Sequence, residues 1–249
     1  MRGRVTAMVA GKATAGCLAL LMVSATLDPA AAAAAEVPAD HRVYMVADSV
    51  GLGSAGAIQR ALPEYQVTLD GTPALFVEQL ESKFVRTRMA TSPSVFGDVA
   101  VVAAGYNYPY WDPGRFDRSI DSMIATLEAT GAKHIIWVTL REVKPEYVTA
   151  SAWRGAQPYY WYFPTVNAHL RAAVARHPNL SLADWAAVAD RPGLTYDAIH
   201  LNPVGAALYS ETIADTATVW PATKLRFDVA GRSPPHGAGR SRTTGTSRR

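Results

Sequence analysis

The sequence has a single cysteine, Cys17, and no apolar run long enough to cross a bilayer as a helix. The apolar run near the amino terminus, 17–27, covers about 11 residues, whereas a membrane-spanning helix needs roughly 20. Since Cys17 lies in a segment that we expect to be removed, the mature protein would contain no thiol. This excludes a cysteine nucleophile and disulfide bridges.

The first 35 residues have the order of a bacterial signal peptide. Basic residues come first, the apolar run follows, and an alanine tract then reaches Ala35. We predict a signal peptide over 1–35, cleaved near Ala35, with export to the bacterial envelope or the medium and no membrane span after cleavage. An uncleaved membrane anchor is the alternative. Lipidation is not expected, because a lipidated cysteine would follow the apolar run, and Cys17 begins it.

A basic face is also missing. Eight of the 24 lysines and arginines lie outside residues 36–228, against one of the 21 acidic residues, so 16 basic residues remain beside 20 acidic ones. This net charge of about −4 does not favour a nucleic-acid partner. We predict one domain over 36–228, which we expect to be a monomer, and a disordered basic tail over 229–249. The arginines of the tail are expected to be solvated, with contact to anionic envelope polymers as the alternative.

Cofactor and metal signatures are largely absent. No phosphate-binding G-x-x-x-x-G-K-[ST] sequence occurs, and no His, Asp and Glu residues have metal-ligand spacing. Gly51, Gly53 and Gly56 do match a dinucleotide-binding fingerprint, with Asp70 downstream. The fingerprint usually starts directly after its strand, however, and an exported protein would meet little nicotinamide. We therefore expect no cofactor and no metal, and NADH titration would test this alternative.

Short apolar runs alternate with segments of helical period. The strand candidates are 43–47, 66–69, 99–103, 134–139 and 180–183, and the helix candidates are 54–62, 74–89, 113–130, 163–176 and 203–218. Strands such as 99–103 are apolar throughout, as expected for parallel strands covered on both faces. The pattern predicts a three-layer α/β/α fold with a five-stranded parallel sheet. The stretch 143–162 is predicted to be irregular.

Ser49 follows the first strand candidate, in the sequence Ala47-Asp48-Ser49-Val50-Gly51. Ligand sites in such folds lie at the carboxyl ends of the strands. A serine on a tight strand-to-helix turn can present its hydroxyl to a cleft, and nearby backbone N–H groups can bind an oxyanion. The alternative is that Ser49 is an ordinary helix N-cap.

Asn107 follows the third strand candidate, in Gly105-Tyr106-Asn107-Tyr108. Its amide can donate a hydrogen bond to an oxygen that becomes negative in a tetrahedral intermediate. A turn asparagine without this role is the alternative.

Asp197 and His200 are three residues apart and lie just before the last helix candidate. Histidine can accept a serine proton near neutral pH, and an aspartate can hold the imidazole ring and its tautomer. Asn202 and Pro203 are predicted to be the N-cap and the first position of the closing helix. Of the six histidines, His200 alone combines a strand-end position with a carboxylate at useful spacing. A loop aspartate beside a surface histidine is the alternative.

Together these three motifs resemble the SGNH/GDSL hydrolase family, over about 43–217. The resemblance implies a flavodoxin-like sheet, with Ser49 as nucleophile, His200 as base and Asp197 as its orienter. It also implies Asn107 and the Ser49 backbone N–H as oxyanion donors. Ala47 stands where the family usually has glycine, and Tyr108 where it often has aspartate.

The resemblance further implies a glycine N–H after the second strand, for which Gly71 is the nearby candidate. The expected function is an exported serine esterase that acts on acylated carbohydrate or other envelope esters, with acyl transfer to a sugar as a variant of the same chemistry. The nearby aromatic residues Tyr106, Tyr108 and Trp111 can stack on sugar rings, as can the aromatic segment 159–163. Two alternatives are a lid formed by the aromatic segments and a non-catalytic carbohydrate-binding protein on the same scaffold.

Overall fold

The structure, a computed structural model, describes residues 37–108 and 111–230, with side chains up to residue 218. The predicted signal peptide and nearly all of the predicted basic tail lie outside the described residues.

Five parallel strands form one central sheet. They are β1 (Arg42–Ala47), β2 (Gln66–Gly71), β3 (Val99–Ala103), β4 (His134–Val138) and β5 (Leu180–Ala183). The order across the sheet is β2-β1-β3-β4-β5, and every neighbouring pair is parallel. This is the flavodoxin-like order, so the predicted fold class is confirmed. All residues of β1, β3 and β4 are buried, which explains why these strands are almost entirely apolar after the first residues of β1 and β4, Arg42 and His134.

The chain reverses its direction across the sheet between β1 and β3. It moves from β1 outward to β2, returns to place β3 on the other side of β1, and then continues to β4 and β5. Ligands of open α/β sheets bind in the crevice at such a switch point, outside the carboxyl ends of the strands. The segments that follow β1 and β3 therefore meet at this crevice.

Helices flank the sheet. They are α1 (Ser49–Gly53), α2 (Ala55–Ala61), α3 (Val77–Leu80), α4 (Arg86–Thr91), α5 (Pro113–Ala129), α6 (Ala150–Ala156), α7 (Tyr162–Val174), α8 (Trp185–Val188) and α9 (Pro203–Ala230). The helices form two groups. In one group α9 packs against α2 and α8, and in the other α5 packs against α3 and α7. The apolar face predicted for α5 is buried, at Phe116, Ile120, Met123, Ile124 and Leu127.

Several predicted boundaries were wrong. The helix predicted over 74–89 begins at Val77, and the π-helical turn Glu81–Val85 divides it into α3 and α4. The stretch 143–162 is not irregular, since it contains α6 and the short 3₁₀ turns Pro145–Tyr147 and Gln157–Tyr159. The last helix continues to Ala230, two residues into the predicted tail.

A search of the described helices for one long and apolar enough to span a membrane found none.

Candidate active site

The turn from β1 into α1 holds Ser49 at the edge of the sheet. Helix α1 begins at Ser49, and the residue that caps it is Asp48, whose Oδ1 accepts a hydrogen bond of 3.1 Å from the Val50 N–H. The interpretation of Ser49 as the N-cap is therefore wrong. Gly51 allows this tight turn, because a Cβ there would lie 2.7 Å from the Cβ of Ala47 and 2.9 Å from that of Ala103. The Ser49 hydroxyl is left available for other contacts.

A chain of hydrogen bonds joins Ser49, His200 and Asp197. His200 Nε2 lies 3.2 Å from Ser49 Oγ, and His200 Nδ1 lies 2.7 Å from Asp197 Oδ2. A carboxylate only accepts, so Nδ1 carries the proton that it donates to Asp197, and Nε2 is left to accept from the serine hydroxyl. The structure thus brings together the three residues that the sequence motifs singled out, in the arrangement of a nucleophile, a base and its orienter.

The loop before α9 sets the position of His200. Asp197 Oδ1 accepts the backbone N–H groups of Ile199, at 3.0 Å, and His200, at 2.7 Å. Farther along, Asn202 caps α9 as predicted, since its Oδ1 accepts the Gly205 N–H at 3.0 Å and Pro203 is the first helical residue. The carboxylate of Asp197 therefore fixes both the backbone and the ring of its partner.

Asp197 is ionised at neutral pH. Its partial burial opposes ionisation, but the hydrogen bonds from the His200 side chain and from the His200 and Ile199 backbones outweigh that effect and lower the pKa of Asp197. An ionised Asp197 stabilises the imidazolium that forms when His200 takes up a proton.

Asp48 connects the serine turn with the segment after β3. Its fully buried carboxylate accepts the Val50 N–H through Oδ1 and the Tyr106 N–H through Oδ2, at 3.2 Å. Burial raises the pKa of Asp48 to about 6, although the backbone hydrogen bonds partly oppose this shift. The sequence motifs do not single out Asp48 as a site residue, although an aspartate just before a helix is an ordinary N-cap signal.

Asn107 lies beside the Asp48–Tyr106 hydrogen bond. It directly follows Tyr106, just as Ser49 directly follows Asp48, so this one bond links the two segments on which they lie. The Asn107 side chain is partly buried and makes no hydrogen bond to any described residue, so its amide is available to a ligand.

Gly71 is the last residue of β2 and pairs with Ala47, two residues before Ser49. A Cβ at this position would lie 2.0 Å from the Ala47 carbonyl oxygen, so no larger residue fits without moving β1 or β2. The candidate glycine therefore lies at the same end of the sheet as Ser49.

An aromatic cavity of about 510 Å³ adjoins Asn107. Its lining residues are Ala74, Phe76, Tyr106, Asn107, Tyr108, Trp111, Pro158, Tyr159, Trp161 and Tyr162, and none of them is charged. Ser49 and His200 are not among them, so Asn107 is the residue that the cavity shares with the candidate site.

The predicted aromatic contacts differ in their exposure. Tyr106 and Tyr108 are only 8% and 3% exposed, and their rings pack into the core, whereas Trp111 is 60% exposed. Trp161, from the second aromatic segment, lines the same cavity and is 53% exposed. The two tryptophans are therefore the cavity residues best placed to contact a ligand, and the two tyrosines mainly form its wall.

The residues of the dinucleotide fingerprint are used in other ways. Gly51 and Gly53 lie inside α1 rather than in a loop. The Asp70 carboxylate accepts hydrogen bonds from Arg88, at 2.7 and 2.9 Å, and from the Tyr44 hydroxyl. A ribose would have to displace these partners. Within residues 37–108 and 111–218, no group of three or more His, Cys, Asp and Glu side chains is arranged to hold a metal ion.

Comparison with known proteins shows the fold. No protein-family model and no curated protein sequence matches the chain, but solved structures do. The C-terminal catalytic domain of peptidoglycan O-acetyltransferase A from Streptococcus pneumoniae is 22% identical with a TM-score of 0.51, over 71% of this chain and 94% of that one. A lipase/acylhydrolase from Enterococcus faecalis is 18% identical with a TM-score of 0.55, over 70% and 94%. A GDSL-like lipase from Bacteroides thetaiotaomicron is 12% identical with a TM-score of 0.56, over 72% and 88%. The chain has the fold of the SGNH/GDSL hydrolases, as the sequence resemblance implied.

Proposed function

We propose that this protein is a serine esterase of the SGNH/GDSL type, with Ser49 as nucleophile, His200 as general base and Asp197 as the residue that orients it. The observation that carries the proposal is the continuous hydrogen-bond chain from Asp197 Oδ2 through the His200 ring to Ser49 Oγ, with contacts of 2.7 and 3.2 Å. Its position at the β1/β3 switch point of a fold shared with lipases and acyltransferases supports the same conclusion.

The reaction proceeds through an acyl-enzyme. His200 Nε2 takes the proton from Ser49 Oγ as this oxygen attacks the ester carbonyl carbon, and the carbonyl oxygen becomes an oxyanion. The alcohol then leaves with the proton from His200, and the acyl group remains on Ser49. Water attacks this second ester, gives its proton to His200, and releases the acid as the proton returns to Ser49.

The oxyanion is stabilised by Asn107 Nδ2 and by the backbone N–H groups of Ser49 and Gly71. Three features support this assignment: the uncommitted amide of Asn107, the Asp48–Tyr106 hydrogen bond that links its segment to Ser49, and the pairing of Gly71 with Ala47. Each such donor contributes about 10² to 10³ in rate.

The substrate is an uncharged acylated carbohydrate of the bacterial envelope. The cavity beside Asn107 has aromatic walls and two partly exposed indole rings, which suit the apolar faces of pyranose rings. Its described lining offers no cation for an anionic substrate. Its volume of about 510 Å³ lies within the usual range of small-molecule sites.

Acyl transfer to a sugar is the second candidate. It is favoured by the likeness to an enzyme named a peptidoglycan O-acetyltransferase. A sugar hydroxyl would then replace water in attacking acyl-Ser49, with the same base. Both functions fit an exported protein whose amino-terminal 35 residues are a signal peptide and which works as a monomer, without nucleic acid, a metal or a cofactor.

A fluorophosphonate probe tests the enzyme assignment. The probe should label the protein at Ser49, and Ser49→Ala should not be labelled. Ser54→Ala is the control and should be labelled normally, because the Ser54 hydroxyl donates to the Val50 carbonyl and takes no part in the site. If Ser49→Ala labels as fast as the unaltered protein, the proposal fails. A folded, unlabelled protein that binds neutral sugars would instead be a carbohydrate-binding protein.

Nitrophenyl esters of increasing chain length, with and without a neutral sugar acceptor, separate the two reactions. Hydrolysis gives free acid at a rate that is independent of the acceptor, whereas transfer gives an acylated sugar.

A further inference from the structure

Arg141 is a buried arginine just beyond the end of β4. Its side chain donates to three backbone carbonyls: Nε to Ala189 at 3.2 Å, Nη1 to Ala198 at 3.1 Å and Nη2 to Arg191 at 2.9 Å. The residue is 1% exposed. All three acceptors lie between β5 and α9, in the segment that leads to His200.

The guanidinium group of Arg141 forms no ion pair with a carboxylate of the described residues. Burying a charge without an opposite charge costs free energy, which hydrogen bonds to carbonyl dipoles only partly offset. A planar fork that reaches three acceptors at once is a geometry that lysine cannot reproduce. Such an arrangement fixes the relative positions of its three acceptors.

One of those acceptors belongs to a strained residue of the site. Ala198 has φ +79°, in the left-handed region that is unfavourable for a residue with a Cβ. It lies between Asp197 and His200, so its backbone angle sets the direction in which the chain carries His200 toward Ser49. Arg141 Nη1 donates to the carbonyl of this same residue, so the hydrogen bond stabilises the conformation in which it forms.

We infer that Arg141 is a positioning residue, which holds the Asp197–His200 turn in its left-handed conformation and thereby keeps His200 Nε2 within reach of the Ser49 hydroxyl. The inference rests on the proposed function. The Arg141 side chain makes its hydrogen bonds to the carbonyls of the segment that leads to His200 and none to a residue that lines the aromatic cavity. The backbone N–H of Arg141 donates to the Tyr106 hydroxyl at 3.1 Å, and a substitution of the side chain keeps that bond. Loss of the guanidinium should therefore affect kcat and leave KM for a small ester nearly unchanged.

The experiment combines Arg141→Lys with Ala198→Gly. Arg141→Lys should lower kcat on nitrophenyl acetate by about 10- to 100-fold, because small displacements of a catalytic group can have effects of this size. Glycine adopts positive φ without strain, so Ala198→Gly in the Arg141→Lys protein should recover several-fold of the loss. The kcat of Ala198→Gly alone should stay within about 3-fold of that of the unaltered enzyme, because glycine adopts the same positive φ without strain.

Arg42→Lys is the matched control. Arg42 is also buried and donates from Nη1 to the Ser94 carbonyl at 2.8 Å, but it begins β1, at the end of the sheet opposite to Ser49. This variant should lower the unfolding midpoint without lowering kcat for the folded protein.

Two results would overturn the inference: an unchanged kcat in folded Arg141→Lys, or a loss that Ala198→Gly does not reduce. If Arg141→Lys fails to fold, Ala198→Val keeps the inference testable, because a β-branched residue resists positive φ. Its kcat should fall while KM stays, and an unchanged kcat would contradict the inference. Failure of the unaltered protein to react with a fluorophosphonate would reject the proposed function instead.

Discussion

Ser49 Oγ and His200 Nε2 lie 3.2 Å apart, although 151 positions separate the two residues in the chain. The contact joins the amino end of α1, directly after β1, with the loop that precedes α9. Since α9 packs against β4, β5 and α2, the position of His200 depends on the whole sheet rather than on any local segment.

Asp197→Asn should lower kcat by about 10³ to 10⁴, because an amide favours the wrong tautomer of its histidine and cannot stabilise the imidazolium. Steady-state kinetics on nitrophenyl acetate would measure the loss. Asp190→Asn is the control, since Asp190 binds Lys144 and Tyr147 at the surface and should leave kcat unaltered. Comparable activity in both variants would remove Asp197 from the mechanism.

Asn107→Ala should lower kcat on the same ester by about 10² to 10³, with little change in KM, because an oxyanion donor acts mainly in the transition state. Asn179→Ala, which removes a surface hydrogen bond to Glu128, should have no such effect. A rate for Asn107→Ala within a factor of two of the unaltered enzyme would contradict the assigned role.

Gly71→Ala should destabilise the fold by about 1–3 kcal/mol, since the new methyl group would overlap the Ala47 carbonyl and force β1 and β2 apart. The same shift should reduce kcat. In contrast, Gly53→Ala meets no atom within 4 Å and should not reduce stability. Urea unfolding at neutral pH would measure both variants, and equal stabilities would rule out the close strand contact.

Asp48 should make the free energy of unfolding fall as pH rises. Its pKa is about 6 in the folded protein against 3.8 for the free side chain. Between about pH 4 and pH 6 the folded state therefore keeps a proton that the unfolded state has lost. The stabilisation that this proton uptake gives the folded state at low pH declines over that range and is lost above pH 6. At about 1.4 kcal/mol per pKa unit, the loss is about 3 kcal/mol.

Urea unfolding from pH 4 to 7 would measure this effect as the difference between the unaltered protein and Asp48→Asn, which cannot titrate. As pH rises, the unfolding free energy of the unaltered protein should fall relative to that of Asp48→Asn. A difference that does not change with pH would show that Asp48 has an ordinary pKa.

Trp161→Ala should raise KM for an acetylated neutral oligosaccharide by about 2- to 12-fold, which is the loss expected for one aromatic contact of about 0.5–1.5 kcal/mol. Its kinetics on nitrophenyl acetate, which is too small to fill the cavity, should stay unaltered. Tyr160→Ala is the control, because Tyr160 is similarly exposed but does not line the cavity. Equal effects of the two variants would argue against the proposed sugar site.

Strands and site motifs could be predicted from sequence because their signals are local. The buried strands are mostly apolar runs, and parallel strands bring the residues after their carboxyl ends to one edge of the sheet. That rule alone was enough to expect Ser49 and Asn107 in one crevice. The resemblance of the motifs supplied the roles of Asp197 and His200.

The remaining features depend on contacts between distant parts of the chain. The π-helical turn that divides 74–89 contains Glu81, whose buried carboxylate accepts hydrogen bonds from Ser122 and Thr126 on α5. Similarly, the three carbonyls that Arg141 binds lie 48 to 57 positions away. Backbone acceptors have no sequence signature, and residue types alone do not pair a carboxylate with hydroxyl groups that lie 41 and 45 positions away, so neither contact could be inferred from the sequence.

The residues proposed for proton transfer and those proposed for sugar contact lie on separate pieces of the chain. His200 and Asp197 belong to the loop before α9, whereas Trp111 and Trp161 precede α5 and α7. If the cavity binds sugar as proposed, substitutions in its aromatic wall would change which glycan is accepted while leaving the acid–base pair intact. In this layout, substrate preference can diverge during evolution while the catalytic residues stay the same.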